Sequence, residues 1–219
     1  MDEPTNSIDK KTNLIMIANP NSPTGTIISE KNIFKILNKA KSNNCFVVID
    51  EAYFGFYKNS SIKFIKKFTN LVVLRTFSKA IGMAGIRAGY IISNKKNIER
   101  LYTFRPMYEI SSISCLAIKE VIKNYGLVKK YITQTEIGKK YLIRELRKLN
   151  LKSFETYSNF ILVDFRNFTL ASKVFYQLHK KNILSRRAPN IQACANSLRF
   201  TLGPKKYMQT LIKEIKKII

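Results

Sequence analysis

The chain has 219 residues, 45% of them hydrophobic, enough apolar material to bury the core of one large domain or a domain and a half. No apolar run approaches the roughly 20 residues a membrane-spanning helix needs, and residues 1–13 are polar with both signs of charge, so neither a span nor a secretory signal is expected. The net charge of +25 invites a nucleic-acid reading. Its placement argues otherwise: lysines fall in ones and twos along the whole chain, as at Lys10 and Lys11, Lys66 and Lys67, Lys95 and Lys96, Lys139 and Lys140, and Lys216 and Lys217. No zinc-finger, basic-zipper or RNP-like aromatic pattern accompanies them, so a solvated cationic surface is expected and a nucleic-acid partner is not. Cys45, Cys115 and Cys194 are odd in number and widely spaced, which points to reduced thiols and a cytoplasmic setting.

In chain order, residues 14–18 form a buried-strand candidate that ends in Asn19-Pro20-Asn21-Ser22-Pro23-Thr24-Gly25, a turn-rich loop. Ser29 is a plausible helix N-cap with Glu30 in the first turn, and Ile33, Ile36, Leu37 and Ala40 then make one apolar stripe. Residues 45–49, 71–74 and 88–92 read as further strands, with Asp50 closing the first of these three. Near-continuous apolar strands separated by helices predict a sheet covered on both faces, and in such sheets the ligand site lies off the carboxyl ends of the strands.

Beyond Pro106 the character changes. Residues 113–125 read as a helix with Gly126 at its end, followed by a long helix over 128–149 bearing Val128, Ile132, Thr135, Leu142, Leu146 and Leu149 on one side. A strand at 160–163, a helix at 170–180 and a strand at 198–202 follow. A last helix opens with Pro204 in its first turn and is expected to bury Tyr207, Leu211, Ile215 and Ile218. The expected division is a large α/β domain over 1–126 and a smaller α+β domain over 127–219. His179, the single histidine, lies late in a helix among lysines and is expected to face water; no metal site is expected.

Three segments carry the chemistry, each at the end of a predicted strand: residues 19–25; Asp50-Glu51-Ala52-Tyr53; and residues 75–90, which read R-T-F-S-K-A-I-G-M-A-G-I-R-A-G-Y. Together and in this order they resemble the pyridoxal-phosphate-binding core of class I/II aminotransferases of fold type I, most closely the histidinol-phosphate aminotransferase branch. The resemblance covers nearly all of the chain and roughly the C-terminal three-fifths of the family's length. It implies part of the fold type I large domain, a mostly parallel sheet with flanking helices, plus the smaller C-terminal domain. It also implies the cofactor pyridoxal 5′-phosphate, a small-molecule amino acid and a keto-substrate, and a homodimer. A sheet short of strands would leave edges and apolar faces uncovered, so this length of chain alone is expected to fall short of a competent enzyme.

The chemistry gives each matched residue a reason. Lys79 is the amine that would hold the cofactor's aldehyde as a Schiff base and shuttle the substrate's α-proton. Asp50 would face the protonated pyridine nitrogen, and Tyr53 its 3′ oxygen. Ser78 and Arg87, with Thr76 as a weaker helper, would hold the phosphate, while Gly82, Gly85 and Gly89 let the backbone approach and turn. Ser22 stands where many relatives carry asparagine before Pro-Thr-Gly and is a further cofactor candidate. Arg199, within Ser197-Leu198-Arg199-Phe200-Thr201, would grip a substrate carboxylate; its apolar flanks suggest a buried ionic partner. Asn159 and Arg105 are further substrate candidates, Arg105 for a phosphate. Transfer of an amino group between an amino acid, glutamate foremost, and a phosphorylated or polar keto-substrate, often biosynthetic in this branch, is the leading expectation. Amino-acid phosphate decarboxylases share the fold and motifs and stay open as a second reading; a non-catalytic basic remnant or nucleic-acid-binding module is a third.

Overall fold

The computed structural model describes residues 5–187 and 191–219. It comprises two compact units, one formed by the chain up to Asn21 and by Ile27–Tyr125, the other by Ser22–Thr26 and Gly126–Ile219.

The first unit is built on strands β1 (Leu14–Ala18), β2 (Phe46–Asp50), β3 (Leu71–Thr76) and β4 (Gly89–Ser93), in that spatial order. The first three are parallel and β4 runs antiparallel to β3. Helix α1 (Glu30–Ser42) connects β1 to β2. Ser29 Oγ accepts a hydrogen bond from Asn32 N, Glu30 sits at the positive end of the helix dipole, and Lys39 and Lys41 sit at the negative end. Ile33, Ile36, Leu37 and Ala40 are buried at the i, i+3, i+4, i+7 spacing that marks one face. Part of that face packs on one side of the sheet: Ile33, Leu37 and Ala40 cluster with Val47, Ile49, Leu71, Val73 and Phe68. Leu37 has no exposed surface, a burial that stabilises by about 2 kcal/mol.

The other side of this sheet differs from the expectation of two covered faces. Strand register puts Met16, Val48 and Val72 in one row and Ala18, Asp50, Leu74 and Ile91 in the next, with Leu14 beside Phe46. On this face Leu14 is 53% exposed, Met16 69% and Ile91 46%. The apolar run of a strand records that both faces are apolar; it does not record whether this length of chain covers them. Helices α2 (Lys95–Thr103) and α3 (Ser112–Lys123) complete the unit. Sequence periodicity did not reveal α2, which is fixed by polar groups: Asn94 caps it, and the buried Asn97 donates to Thr69 O and Ser93 Oγ. Helix α3 ends at Asn124, and Gly126, expected at that end, lies inside the next helix.

The second unit holds α4 (Tyr125–Lys148, from Gly126 onward), β5 (Lys152–Ser153), β6 (Phe160–Asp164), α5 (Phe168–His179), β7 (Arg186–Arg187), β8 (Ser197–Thr201) and α6 (Lys205–Ile218). Its sheet is antiparallel throughout, in the order β5-β6-β8-β7. Alternate residues Ile161, Val163, Leu198 and Phe200 bury against Leu142 and Leu146 of α4, Ala171, Val174 and Leu178 of α5, and Met208, Leu211, Ile212 and Ile215 of α6. Leu211 and Ile215 are buried as expected and Ile218 packs against the core, whereas Tyr207 is 58% exposed and Met208 is buried beside it. Pro204 precedes the helix as its N-cap. Gly138 has a packing role: a Cβ there would collide with the Gly203 carbonyl oxygen, so α4 approaches the turn before α6 as closely as a bare backbone allows.

Candidate active site

In the first unit the carboxyl ends of β2 and β3 meet two loops rich in polar groups. Asp50 closes β2, half-buried, its Oδ1 accepting from Ala52 N at 2.8 Å, which folds the chain directly into a turn. That turn places Tyr53 at 7% exposure. Strand β3 runs on to Thr76, and the loop beyond it is pinned at both ends. Phe77 N donates to Ala88 O at 3.1 Å, Met83 N donates to Phe77 O at 2.9 Å, and Ser78 N donates to Thr76 Oγ1 at 3.0 Å. Lys79, half-buried on this pinned loop, carries its ammonium 5.6 Å from the centre of the Tyr53 ring. The structure therefore brings Asp50, Tyr53, Thr76, Ser78 and Lys79 to one end of one sheet.

The rest of the loop is open backbone. Gly82 has a φ of +78°, and a Cβ at Gly82 or Gly85 would meet nothing within 4 Å. Arg87 adopts a φ of 51°, a conformation rarely held by a residue with a side chain, and its Nη1 donates to Ala84 O at 3.0 Å. Arg87 also lines a cleft of about 600 Å³ with Tyr90, Ile98, Leu101 and Arg105. Arg105 is ion-paired to Glu109 at 3.3 Å and lies over the Tyr102 ring. An aldehyde-bearing pyridine phosphate needs an amine, a carboxylate, hydroxyls, a cation and room beside the backbone. This donor set fits such a group.

The remaining candidates lie in the second unit. Arg199 Nη1 donates to Ser22 Oγ at 3.2 Å, and its guanidinium lies 4.7 Å from the centre of the Phe160 ring. The Ser22–Thr26 loop is held there by Tyr157 N donating to Gly25 O at 2.9 Å, with Gly25 seated against Thr156 where any side chain would collide. Asn159 stands just before β6, and its carbonyl accepts from Leu202 N at 2.7 Å. The apolar flanks of Arg199 had suggested a buried ionic partner. In the strand, Leu198 and Phe200 point into the core while Arg199 points the other way, half-buried, and among the described residues no carboxylate pairs with it.

Two features escaped the sequence. Arg186 of β7 lies directly opposite Arg199 of β8, placing two cations side by side, an arrangement that is destabilising by itself and favourable around an anion. The other is a buried polar cluster of Glu51, Ser60 and Arg75 against Phe54, the residue after Tyr53. Arg186 had no motif around it, and its partner is set by strand register alone. Glu51 and Arg75 lay inside the quoted motifs with nothing to show that they meet.

A fold type I sheet with an amine, a phenol and a carboxylate gathered at its carboxyl end defines a class, and comparison with known proteins bears it out. The family model for aminotransferase class I and II matches residues 1–215, and the chain belongs to that family. It is 35% identical over 210 residues to the histidinol-phosphate aminotransferase of Caldanaerobacter subterraneus subsp. tengcongensis, a match covering 95% of this chain and 58% of that protein. Among solved structures, the histidinol-phosphate aminotransferase of Clostridium acetobutylicum superposes with a TM-score of 0.87 at 26% identity, over 95% of this chain and 64% of that one. The L-threonine-O-3-phosphate decarboxylase of Porphyromonas gingivalis shares the fold, with a TM-score of 0.76 at 23% identity over 98% of this chain and 68% of that one. The chain thus spans a little under three-fifths of the length of the first of these relatives.

Proposed function

We propose that this chain carries the cofactor-binding end of the large domain and the carboxylate-binding small domain of a pyridoxal-phosphate-dependent aminotransferase. The observation that carries the reading is the Lys79 ammonium above the buried Tyr53 ring, in the turn that Asp50 begins. Bound there, pyridoxal phosphate supplies an electron sink for the pair left when a substrate's α C–H bond breaks. Lys79 Nζ would hold the cofactor's aldehyde carbon and, when free, would take up the substrate's α-proton and return it. The Asp50 carboxylate would face the ring nitrogen and favour its protonated form, and the Tyr53 hydroxyl would face the 3′ oxygen. Ser78, Thr76 and Arg87 hold the phosphate, assisted by open backbone at Gly82 and Gly85. Ser22 accepts a hydrogen bond from Arg199 and stays a further cofactor candidate.

On the substrate side, Arg199 grips the α-carboxylate with its planar fork, and Asn159 orients it. The cation pair of Arg186 with Arg199 favours a substrate with a second anionic or strongly polar group. Arg105 is a phosphate contact only if Glu109 gives it up. Glutamate as donor and the keto counterpart of histidinol phosphate, the compound in the relatives' names, are the pair to test first, run in reverse as histidinol phosphate with 2-oxoglutarate. We place the complete enzyme in the cytoplasm as a homodimer; among the described residues no helix is long and apolar enough to cross a membrane. The test is to supply the protein with pyridoxal phosphate, histidinol phosphate and 2-oxoglutarate. Formation of glutamate supports the reading. In a parallel assay supplied with an amino-acid phosphate that bears a carboxylate, release of carbon dioxide, with no glutamate formed in the first assay, would assign a decarboxylase instead.

A further inference from the structure

Next to the turn that carries Asp50 and Tyr53 lies an ion pair with almost no access to water. The side chains of Arg75 and Glu51 are 9% and 4% exposed and meet at 3.0 Å. The Glu51 carboxylate is fully engaged: Oε2 accepts from Arg75 Nε and Nη2 and from Ser60 Oγ, and Oε1 accepts from Ser61 N at 2.6 Å. Arg75 Nη2 also donates to Ser60 Oγ at 2.8 Å, and the guanidinium carbon lies over Phe54, 3.2 Å from its ring centre. Four segments are tied at one point: the end of β2, the turn after it, the start of residues 60–61, and the last stretch of β3.

Three of the four ties are adjacent in sequence to a candidate site residue. Glu51 follows Asp50, Phe54 follows Tyr53, and Arg75 precedes Thr76. A buried ion pair gives little net stability, because desolvation offsets most of its Coulomb attraction, and apolar residues of similar volume would hold a fold as well. What such a network does supply is a single geometry, since every donor and acceptor is matched in only one arrangement. We propose that Glu51, Arg75 and Ser60 are positioning residues that fix the turn carrying Asp50 and Tyr53 against Lys79. The claim rests on the functional reading above for what the turn touches. It assigns the network no contact with cofactor or substrate.

The test compares the unaltered chain with the double variant Glu51→Leu/Arg75→Met, which leaves no unpaired buried charge, and with Arg75→Lys, which keeps the charge but loses the flat fork. Amide hydrogen exchange without cofactor reads the turn directly. Residues 52–57 should exchange about tenfold faster in the double variant while the α1 core stays protected. With pyridoxal phosphate added, borohydride labelling of Lys79 at limiting cofactor should fall about tenfold, and the pH midpoint of the bound cofactor's visible absorbance should move, with Arg75→Lys intermediate. A folded double variant with unchanged exchange at 52–57, or with an unchanged absorbance midpoint, overturns the proposal and leaves the pair as packing. If the unaltered chain takes no label on Lys79, the functional reading fails instead, and the exchange arm still decides whether the network holds the turn.

Discussion

The two units solve the same problem to different degrees. In the second, every layer of the sheet finds its cover: alternate residues of β6 and β8 disappear beneath α4, α5 and α6, with Ile161, Val163 and Leu198 wholly removed from water. In the first, α1 covers one face of a sheet that is apolar on both, and Leu14, Met16 and Ile91 stay largely exposed on the other. The difference teaches that closure and chemistry are separable here. The self-contained unit holds a pair of arginines, whereas the partly covered unit holds the amine, phenol and carboxylate.

This contrast can be broken by substitution. Gly138→Ala should be the most damaging change, because the new methyl meets the Gly203 carbonyl in a core with nowhere to yield. Overpacking of this kind costs about 3 kcal/mol, against which alanine's better helix propensity returns about 1, so a net loss near 2 kcal/mol is expected in urea unfolding. An unchanged midpoint would mean that α4 can shift freely. Met16→Lys tests the open face and should alter stability by no more than about 0.5 kcal/mol, as at an ordinary surface position. A loss several times larger would show that face to be covered in solution.

The smallest effect concerns Glu145, which staples α4 to α6. A hydrogen bond from Lys148 at 2.8 Å, followed by contact with Lys216, holds its carboxyl below the ordinary carboxylate range. A depressed folded-state value means that the stabilisation is present above the unfolded value and vanishes as the pH falls through the folded one. Glu145→Gln should therefore differ from the unaltered chain at neutral pH and converge with it as acid is added below the carboxyl's ordinary value of 4.5. A gap that persists unchanged in acid would contradict this.

What could be read from the sequence follows from how local each feature is. Strands β1 to β4 and the α1 stripe were legible because period and capping are written within a dozen residues, as at Ser29 and Ile33. Helix α2 was not, since its anchoring depends on Asn97 reaching Thr69 O, far away in sequence. Gly126 misled because a glycine that often ends a helix is also tolerated inside one. Lys79, Asp50 and Tyr53 were legible through the resemblance of their three motifs, taken together and in order, to those of a known family. The pairing of Arg186 with Arg199, the outward turn of Arg199 and the meeting of Glu51 with Arg75 are products of register and tertiary closure, which no local pattern encodes.

The central claim is that the amine of Lys79 is the one among many lysines that takes the cofactor's aldehyde. Borohydride reduction of the protein equilibrated with pyridoxal phosphate, followed by peptide mass spectrometry, tests it directly. The account predicts a pyridoxyl group on Lys79 in preference to all other lysines, lost in Lys79→Ala. Labelling spread over exposed lysines, with none enriched at Lys79, would contradict it.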